Sequence, residues 1–227
     1  YSHSAPLIWM HCSSLGEFEQ GRPLLEMVKE NHPSHKILIT FFSPSGYEIR
    51  KNYEGADFVF YLPADSKSNA RRFLQIVKPV LVLWVKYDYW YYYLSTLRQN
   101  NIPVLLVSGL FRIDQPFFTW YGQLYRQMLE SFRHLFVQTE SSAQLLKSIG
   151  FVNNVTIVGD TRFDRVLQIS RHFEPIDDIK QFCGNDPVIV AGSTWIEDEE
   201  ELDHYANTRQ EIKFIIAPHD VSEQRLR

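Results

Sequence analysis

The feature that most constrains this chain is an alternation repeated seven times: a short apolar run, β-branched or aromatic, followed by a longer stretch with helical spacing. Strands of a parallel sheet read as near-continuous apolar runs because helices cover both faces, and each crossover needs a helix to return the chain. The runs are Leu7 to Cys12, Lys36 to Phe42, Phe58 to Leu62, Val80 to Val85, Val104 to Ser108, His134 to Val137 and Val155 to Val158. Glu17 to Asn31 reads as the first helix. Ser43 followed by Pro44 is a helix-start signal, an N-cap hydroxyl ahead of a residue that needs no backbone N–H. Ala70, Phe73, Leu74 and Val77 fall at i, i+3, i+4 and i+7, with Arg71 and Arg72 on the opposite face. Trp90 to Asn100 and Ser141 to Ile149 give two more helices, and Pro116 to Phe132 predicts a single long one. The expectation is an α/β fold, a doubly wound parallel sheet, over residues 1–170.

From 171 to 186 the pattern loosens around Pro175 and Gly184, which reads as a linker. Val188 to Ala191, a helix near Glu197 to Thr208, and Lys213 to Ala217 then restart the β-α-β pattern. Residues 187–227 therefore read as the opening of a second domain. Tyr1 in place of an initiating Met suggests an excerpt of a longer chain. No apolar run approaches the 18 residues that a spanning helix needs, and no signal peptide is recognisable.

Composition narrows the function. With 23 basic and 27 acidic side chains the net charge is −4, which excludes a uniformly basic nucleic-acid binder. Only Cys12 and Cys183 are present, far apart, which points to a reducing compartment without a disulfide or zinc framework. The eight histidines are scattered, without metal-ligand spacing. The sequence contains no GxSxG, GxxxxGK[ST] or GxGxxG, so serine hydrolases, P-loop NTPases and the dinucleotide fingerprint are set aside.

Ligands of open α/β sheets bind outside the carboxyl ends of the strands, so the turns there carry the candidates. After the first strand stands Ser13-Ser14-Leu15-Gly16-Glu17. Glu17 either complements the helix dipole or serves as a general base at a cleft, and Gly16 offers close backbone approach or positive φ. Ser43, Ser45 and Gly46 follow the second strand, as a plain cap or as donors to a hydroxylated ligand. Lys86 and Asp88 follow the fourth, with Trp90; Asp88 either caps the next helix or joins a sugar site. Arg162 follows the seventh in Gly159-Asp160-Thr161-Arg162-Phe163-Asp164; either a surface pair forms there, Arg162–Asp164 or Arg165–Asp164, or Arg162 neutralises a leaving phosphate. Gly192-Ser193-Thr194 opens a helix and offers amides and hydroxyls to a phosphate, or ordinary caps.

In order along the chain, His11-Cys12-Ser13-Ser14-Leu15-Gly16-Glu17, Thr40 to Tyr47, Tyr61-Leu62-Pro63-Ala64-Asp65, Lys86 to Trp90, Gly159 to Asp164 and Ala191 to Thr194 resemble the lipid A Kdo transferases (3-deoxy-D-manno-octulosonic acid transferases), especially Bacteroidetes-type members. The resemblance implies a GT-B glycosyltransferase fold with two Rossmann-like domains, residues 1–170 forming the acceptor side and 187–227 the start of the donor side. It implies transfer of Kdo from CMP-Kdo to a lipid A precursor, inverting and without a metal or cofactor, at the cytoplasmic face of the bacterial inner membrane. Glu17 matches the family's catalytic glutamate. Asp88 stands where glutamate is usual, and Arg162 matches a basic residue that supports the transition state. Ser193, Thr194 and His219 fall where the donor is contacted; Ser14, Gly16, Ser43, Ser45, Gly46 and Lys86 are acceptor-side candidates. The anionic acceptor calls for a basic and aromatic membrane-facing surface, with Arg50, Lys51, Arg71, Arg72, Phe111, Phe117, Phe118, Trp120 and Tyr121 as candidates. The family's second-domain nucleotide region and N-terminal anchor are missing, so the excerpt alone is expected to be inactive. Another GT-B transferase, a nucleotide-sugar epimerase, or a non-catalytic lipid A-binding module are the alternatives.

Overall fold

Covered on both faces, a parallel sheet must bury its central strands completely, and the first strand here, β1 (Leu7–Cys12), is buried at all six positions. The structure, a computed structural model, describes residues 5–171, 173–209 and 211–222. The other strands of the sheet are β2 (Lys36–Phe41), β3 (Phe58–Tyr61), β4 (Leu81–Val85), β5 (Val104–Gly109), β6 (His134–Val137) and β7 (Val155–Ile157). All pair in parallel in the order β3-β2-β1-β4-β5-β6-β7. The chain begins in the middle, builds outward to β3, and returns to lay β4 on the other side of β1. That reversal puts a topological switch point between the carboxyl ends of β1 and β4.

Helices α1 (Leu15–Asn31), α2 (Pro44–Arg50), α3 (Lys67–Val77), α4 (Tyr91–Gln99), α5 (Gln123–Leu129), α6 (Glu140–Ser148) and α7 (Thr161–Arg171) cover the faces. Alternate residues of β1 enter two separate cores. Trp9 joins Trp84, Tyr93, Leu97 and Phe111 on one face, and Met10 joins Phe18, Leu25 and Val85 on the other. The buried Trp9 indole donates to Thr40 Oγ1 at 2.8 Å, so the β1–β2 pairing has a side-chain bond as well as its ladder. Helix α1 lies close on β1 and β4 because of Gly21: a Cβ there would stand 2.8 Å from Val85 Cγ2 and 2.9 Å from Met10 Sδ. This seating fixes the height of the first turn of α1 above the sheet.

The long helix expected over Pro116 to Phe132 is instead a 3₁₀ turn at Pro116–Phe118, a non-helical bend, and the short α5. A Cβ at Gly122 would fall 2.0 Å from the Pro116 carbonyl oxygen, and Arg126 Nη2 donates to the Thr119 carbonyl at 2.6 Å. The aromatic spacing mimics a helix, but Phe117 is buried while Trp120 is 92 % exposed.

The chain divides after Arg171 into two compact units. The second carries α8 (Asp177–Cys183), β8 (Val188–Thr194), α9 (Ile196–Thr208) and β9 (Lys213–Pro218), with β8 and β9 parallel. The stretch 171–186, expected as linker, thus holds a helix. None of its residues is buried, so it leaves no apolar period to read. Lys213 nevertheless ties it to β9, donating to the Phe182 carbonyl and pairing with Asp186 at 2.8 Å.

Candidate active site

The site is built from three turns at the switch point. Ser14 caps α1, its Oγ accepting the Glu17 N–H at 3.4 Å, and the Glu17 carboxylate turns back to accept the Ser13 N–H. This is close to a capping box, so the structural reading of Glu17 is satisfied in part. Three further facts exceed it. Glu17 is buried at 8 % exposure; it has no ion pair among the described residues; and the charge that bears on it is a like charge, Asp88. Burial pushes its carboxyl up to about 7, with Asp88 adding to the rise and the Ser13, Ser14 and Tyr87 backbones opposing it. Gly16, next to it, is exposed and a Cβ there would meet nothing within 4 Å. Its φ is not positive, so of the two expectations for Gly16 only open approach to the turn is compatible.

β1 also carries a buried polar group to which the sequence alone assigns no role. His11 Nδ1 is 2.9 Å from Thr40 Oγ1 and Nε2 is 3.4 Å from Ser13 Oγ. Burial drives its pKa down to about 3, so the imidazole is neutral at physiological pH. The turn after β2 is bonded to the turn after β1 through the Ser43 N–H and the Ser13 carbonyl, at 2.7 Å. Ser43 is the N-cap of α2, accepting the Ser45 N–H at 3.3 Å, and the two hydroxyls are 3.0 Å apart. Gly46 lets α2 pack close on β2: a Cβ there would lie 2.2 Å from the Phe41 ring.

Asp88 does not cap α4. The N-cap is Trp90, and the Asp65 carboxylate, arriving from the turn after β3, accepts the N–H groups of Tyr92 and Tyr93 at 3.1 and 3.2 Å. With that task done by Asp65, the half-buried Asp88 carboxylate has no hydrogen bond or ion pair among the described residues, while its carbonyl accepts the Trp84 indole N–H at 2.5 Å. Tyr89 packs edge-on to Phe117, 4.8 Å between centroids, and onto Phe111 and Phe132. Burial and the charges of Tyr87 and Glu17 raise its hydroxyl pKa. Phe111 and Phe117, expected on a membrane-facing surface, are core residues at 2 and 3 % exposure. Arg50 is bound to Glu19 at 2.6 Å and Lys51 to Glu48 at 2.7 Å. Of that expected surface, Lys51, Arg71, Arg72, Trp120 and Tyr121 are exposed, and Phe118 is half-buried against the core.

The turn after β7 folds back across the carboxyl edge. Gln138 Nε2 donates to Ser108 Oγ at 3.0 Å, and Ser108 Oγ is 3.4 Å from Thr161 Oγ1. Arg162 is held by Asp160, at 2.8 Å through Nε and 2.5 Å through Nη2. The side chains of Asp164 and Arg165 lie outside the described residues. In the second unit, Ser193 adopts a φ of 57° and the His219 N–H donates to the Thr194 carbonyl at 2.9 Å. The Thr194 hydroxyl, expected to hold a phosphate, is taken by Glu199 at 2.7 Å, and the Trp195 N–H by Asp198 at 2.9 Å, both within α9's own cap. The His219 ring stacks on Trp195 at 4.5 Å. Among the described residues no cluster of metal-ligating side chains occurs, and no helix is long and apolar enough to cross a membrane. A cavity of about 500 Å³ at the α4–α5 seam is a separate feature, where Arg98 and Glu130 pair with each other at 2.7 Å.

The model of the family 3-deoxy-D-manno-octulosonic-acid transferase (kdotransferase) matches residues 1–165. A bifunctional glycosyltransferase/methyltransferase from Fusobacterium nucleatum is 29 % identical over 223 residues, 93 % of this chain and 34 % of that protein. A 3-deoxy-D-manno-octulosonic acid transferase from Haemophilus influenzae is 24 % identical over 199 residues, 85 % of this chain and 46 % of its own length. Its counterpart from Aquifex aeolicus is 26 % identical over 158 residues, 69 and 40 %. The chain therefore spans less than half of these curated relatives. Among solved structures, UDP-GlcNAc 2-epimerase from Neisseria meningitidis has a TM-score of 0.66 at 16 % identity, over 92 % of this chain and 64 % of that one. MurG from Acinetobacter baumannii has 0.55 at 11 %, over 97 and 70 %. These likenesses establish the fold, a Rossmann-like α/β unit of GT-B type.

Proposed function

The chain belongs to the 3-deoxy-D-manno-octulosonic-acid transferase family, and on that premise we propose that the whole protein transfers Kdo from CMP-Kdo to a lipid A precursor, with Glu17 as general base. The observation that carries this reading is a buried carboxylate at the β1–β4 switch point, without a counter-ion and with a pKa near 7. A sugar hydroxyl is a poor nucleophile at neutral pH, so its proton must leave as the new bond forms. A base titrating near 7 is both substantially ionised and basic enough for that step.

The acceptor oxygen forms a bond to the anomeric carbon while its proton passes to Glu17. The bond from that carbon to the phosphate oxygen breaks, and CMP departs with the electron pair. One displacement on the opposite face inverts the anomeric centre. Asp88, negative and close to Glu17, supports an oxocarbenium-like centre, as carboxylates do in glycoside hydrolysis. Arg162 stabilises the departing phosphate after exchanging Asp160 for it. Ser193 and His219 in the second unit are the donor-side candidates consistent with this scheme, and Arg71, Arg72, Trp120 and Tyr121 suit a peripheral contact with the inner face of an anionic membrane.

In full-length protein, Glu17→Gln is expected to lower kcat by about 10²-fold or more while acceptor binding persists. Wild-type turnover in that variant removes Glu17 from the reaction. Acceptor binding that is indifferent to Glu17→Ala, with no turnover in the wild type, points instead to a binding module.

A further inference from the structure

One charged group at the carboxyl edge of the sheet has no part in the scheme above. Lys86, directly after β4, is 4 % exposed. It holds a φ of 55°, and Ser108 at the end of neighbouring β5 holds 59°, a conformation that costs a non-glycine residue about 1 kcal/mol or more. The Lys86 N–H donates to the Val107 carbonyl at 3.1 Å, which secures the kink against β5. The ammonium stands 4.8 Å from the centroid of the Tyr87 ring, and among the described residues no carboxylate lies within ion-pair distance of it. Asp160 feels its charge but gives its own oxygens to Arg162.

Burying a cation without a counter-anion is expensive, and removing it in favour of an apolar side chain is usually tolerated or stabilising. A strained lysine kept in that condition at the ligand-binding edge of an α/β sheet is explained by an anion that arrives with the ligand. We propose that Lys86 seats an anionic oxygen group carried on a sugar substrate, a carboxylate or a phosphate, beside Glu17. The proposal rests on the transferase reading of this site, in which donor and acceptor both carry such groups.

The test uses full-length protein with Lys86→Met and Lys86→Arg, and measures KM separately for CMP-Kdo and for the phosphorylated acceptor. Lys86→Met is expected to raise one KM about 10-fold or more with a smaller change in kcat, to weaken the salt dependence of that KM, and to be partly rescued by Lys86→Arg. A rise for the donor identifies its anions as the group seated, and a rise for the acceptor identifies the acceptor phosphate. Lys86→Met is also expected to melt no lower than wild type. Unchanged KM values for both substrates overturn the proposal, as does a melting temperature several degrees lower, which would mean that the ammonium already has its partner within the fold. The two readings fail separately. If Glu17→Gln abolishes turnover and Lys86→Met leaves both KM values alone, only the anion seat is lost; if the wild-type protein turns over neither substrate, the transferase reading itself is lost.

Discussion

Glu17→Gln should make the protein more stable at the pH where it makes it inactive. Folding lifts the Glu17 pKa from an ordinary 4.5 to about 7, so the native state holds this proton more tightly than the unfolded chain does. By linkage, ionising Glu17 opposes folding: the contribution is neutral below pH 4.5, and stability is lost as pH rises from 4.5 through 7. At about 1.4 kcal/mol per pH unit, that interval corresponds to about 3 kcal/mol at pH 8. The side chain is only 8 % exposed, so solvent screening reduces this little. Glutamine has the same shape, stays neutral, and keeps an amide oxygen to accept the Ser13 N–H. The assay is chemical denaturation of full-length wild type and variant at pH 4 and pH 8. Tryptophan fluorescence follows it, since Trp9 and Trp84 are buried in this unit's core. The variant should gain on the order of 3 kcal/mol at pH 8 and almost nothing at pH 4. The same proton should appear in wild-type kcat/KM as a limb that rises with pH to a midpoint near 7. A stability difference that is constant between the two pH values, or a variant weaker at pH 8, would refute the claim that Glu17 is an unpaired, desolvated carboxylate.

Two further outcomes test the supports of the site. Asp65→Ala removes the carboxylate that accepts the Tyr92 and Tyr93 N–H groups, and should cost about 1 kcal/mol in a denaturation midpoint while leaving the far sheet edge unchanged by hydrogen exchange. An unaltered midpoint would mean that Asp88 or water can take over the cap. Gly46→Ala puts a methyl 2.2 Å from the Phe41 ring, an overpacking expected to cost about 1–3 kcal/mol. Pairing it with Phe41→Leu should recover part of that loss, a non-additivity that a double-mutant cycle measures.

The framework was legible because the strands are buried on both faces. The runs read from Leu7, Lys36, Phe58, Val104, His134 and Val155 begin as observed strands, and that from Val80 one residue early. Each run is apolar whatever its neighbours do. The bend before α5 was not legible, because Phe117, Trp120 and Tyr121 keep a helical spacing while a backbone contact at Gly122 breaks the helix. The α8 helix was missed for the opposite reason, since an unburied helix needs no apolar face. In the site, Ser14, Glu17 and Ser43 stand where local rules put them. What local rules could not supply is which distant side chain satisfies which group. Asp88 reads as a cap until Asp65 arrives from another turn, and nothing in the local pattern singles out Asp160 as the carboxylate that holds Arg162. His11 carried a faint signal, a polar residue in an otherwise apolar strand, whose meaning depends on Thr40 in the adjacent strand.

The switch point concentrates the groups that oppose folding. An ionised Glu17 and a left-handed Lys86 each destabilise the unit, and they sit just past the ends of β1 and β4, central strands buried at six of six and four of five positions. Gly21 draws α1 against both strands so closely that its first turn has little room to shift. The Ser43 bond to Ser13 holds the same turn from the β2 side. A carboxylate on a mobile loop would relax toward water and return to its ordinary pKa. Here the tight seating of α1 prevents that relaxation, so the packing that stabilises the sheet is also what keeps Glu17 desolvated. Loosening it with Val85→Ala or Met10→Ala should therefore lower the Glu17 pKa as well as the stability, moving the acidic limb of kcat/KM to lower pH. A limb that stays near 7 in these variants would show that the Asp88 charge, and not the seating of α1, sets the basicity of Glu17.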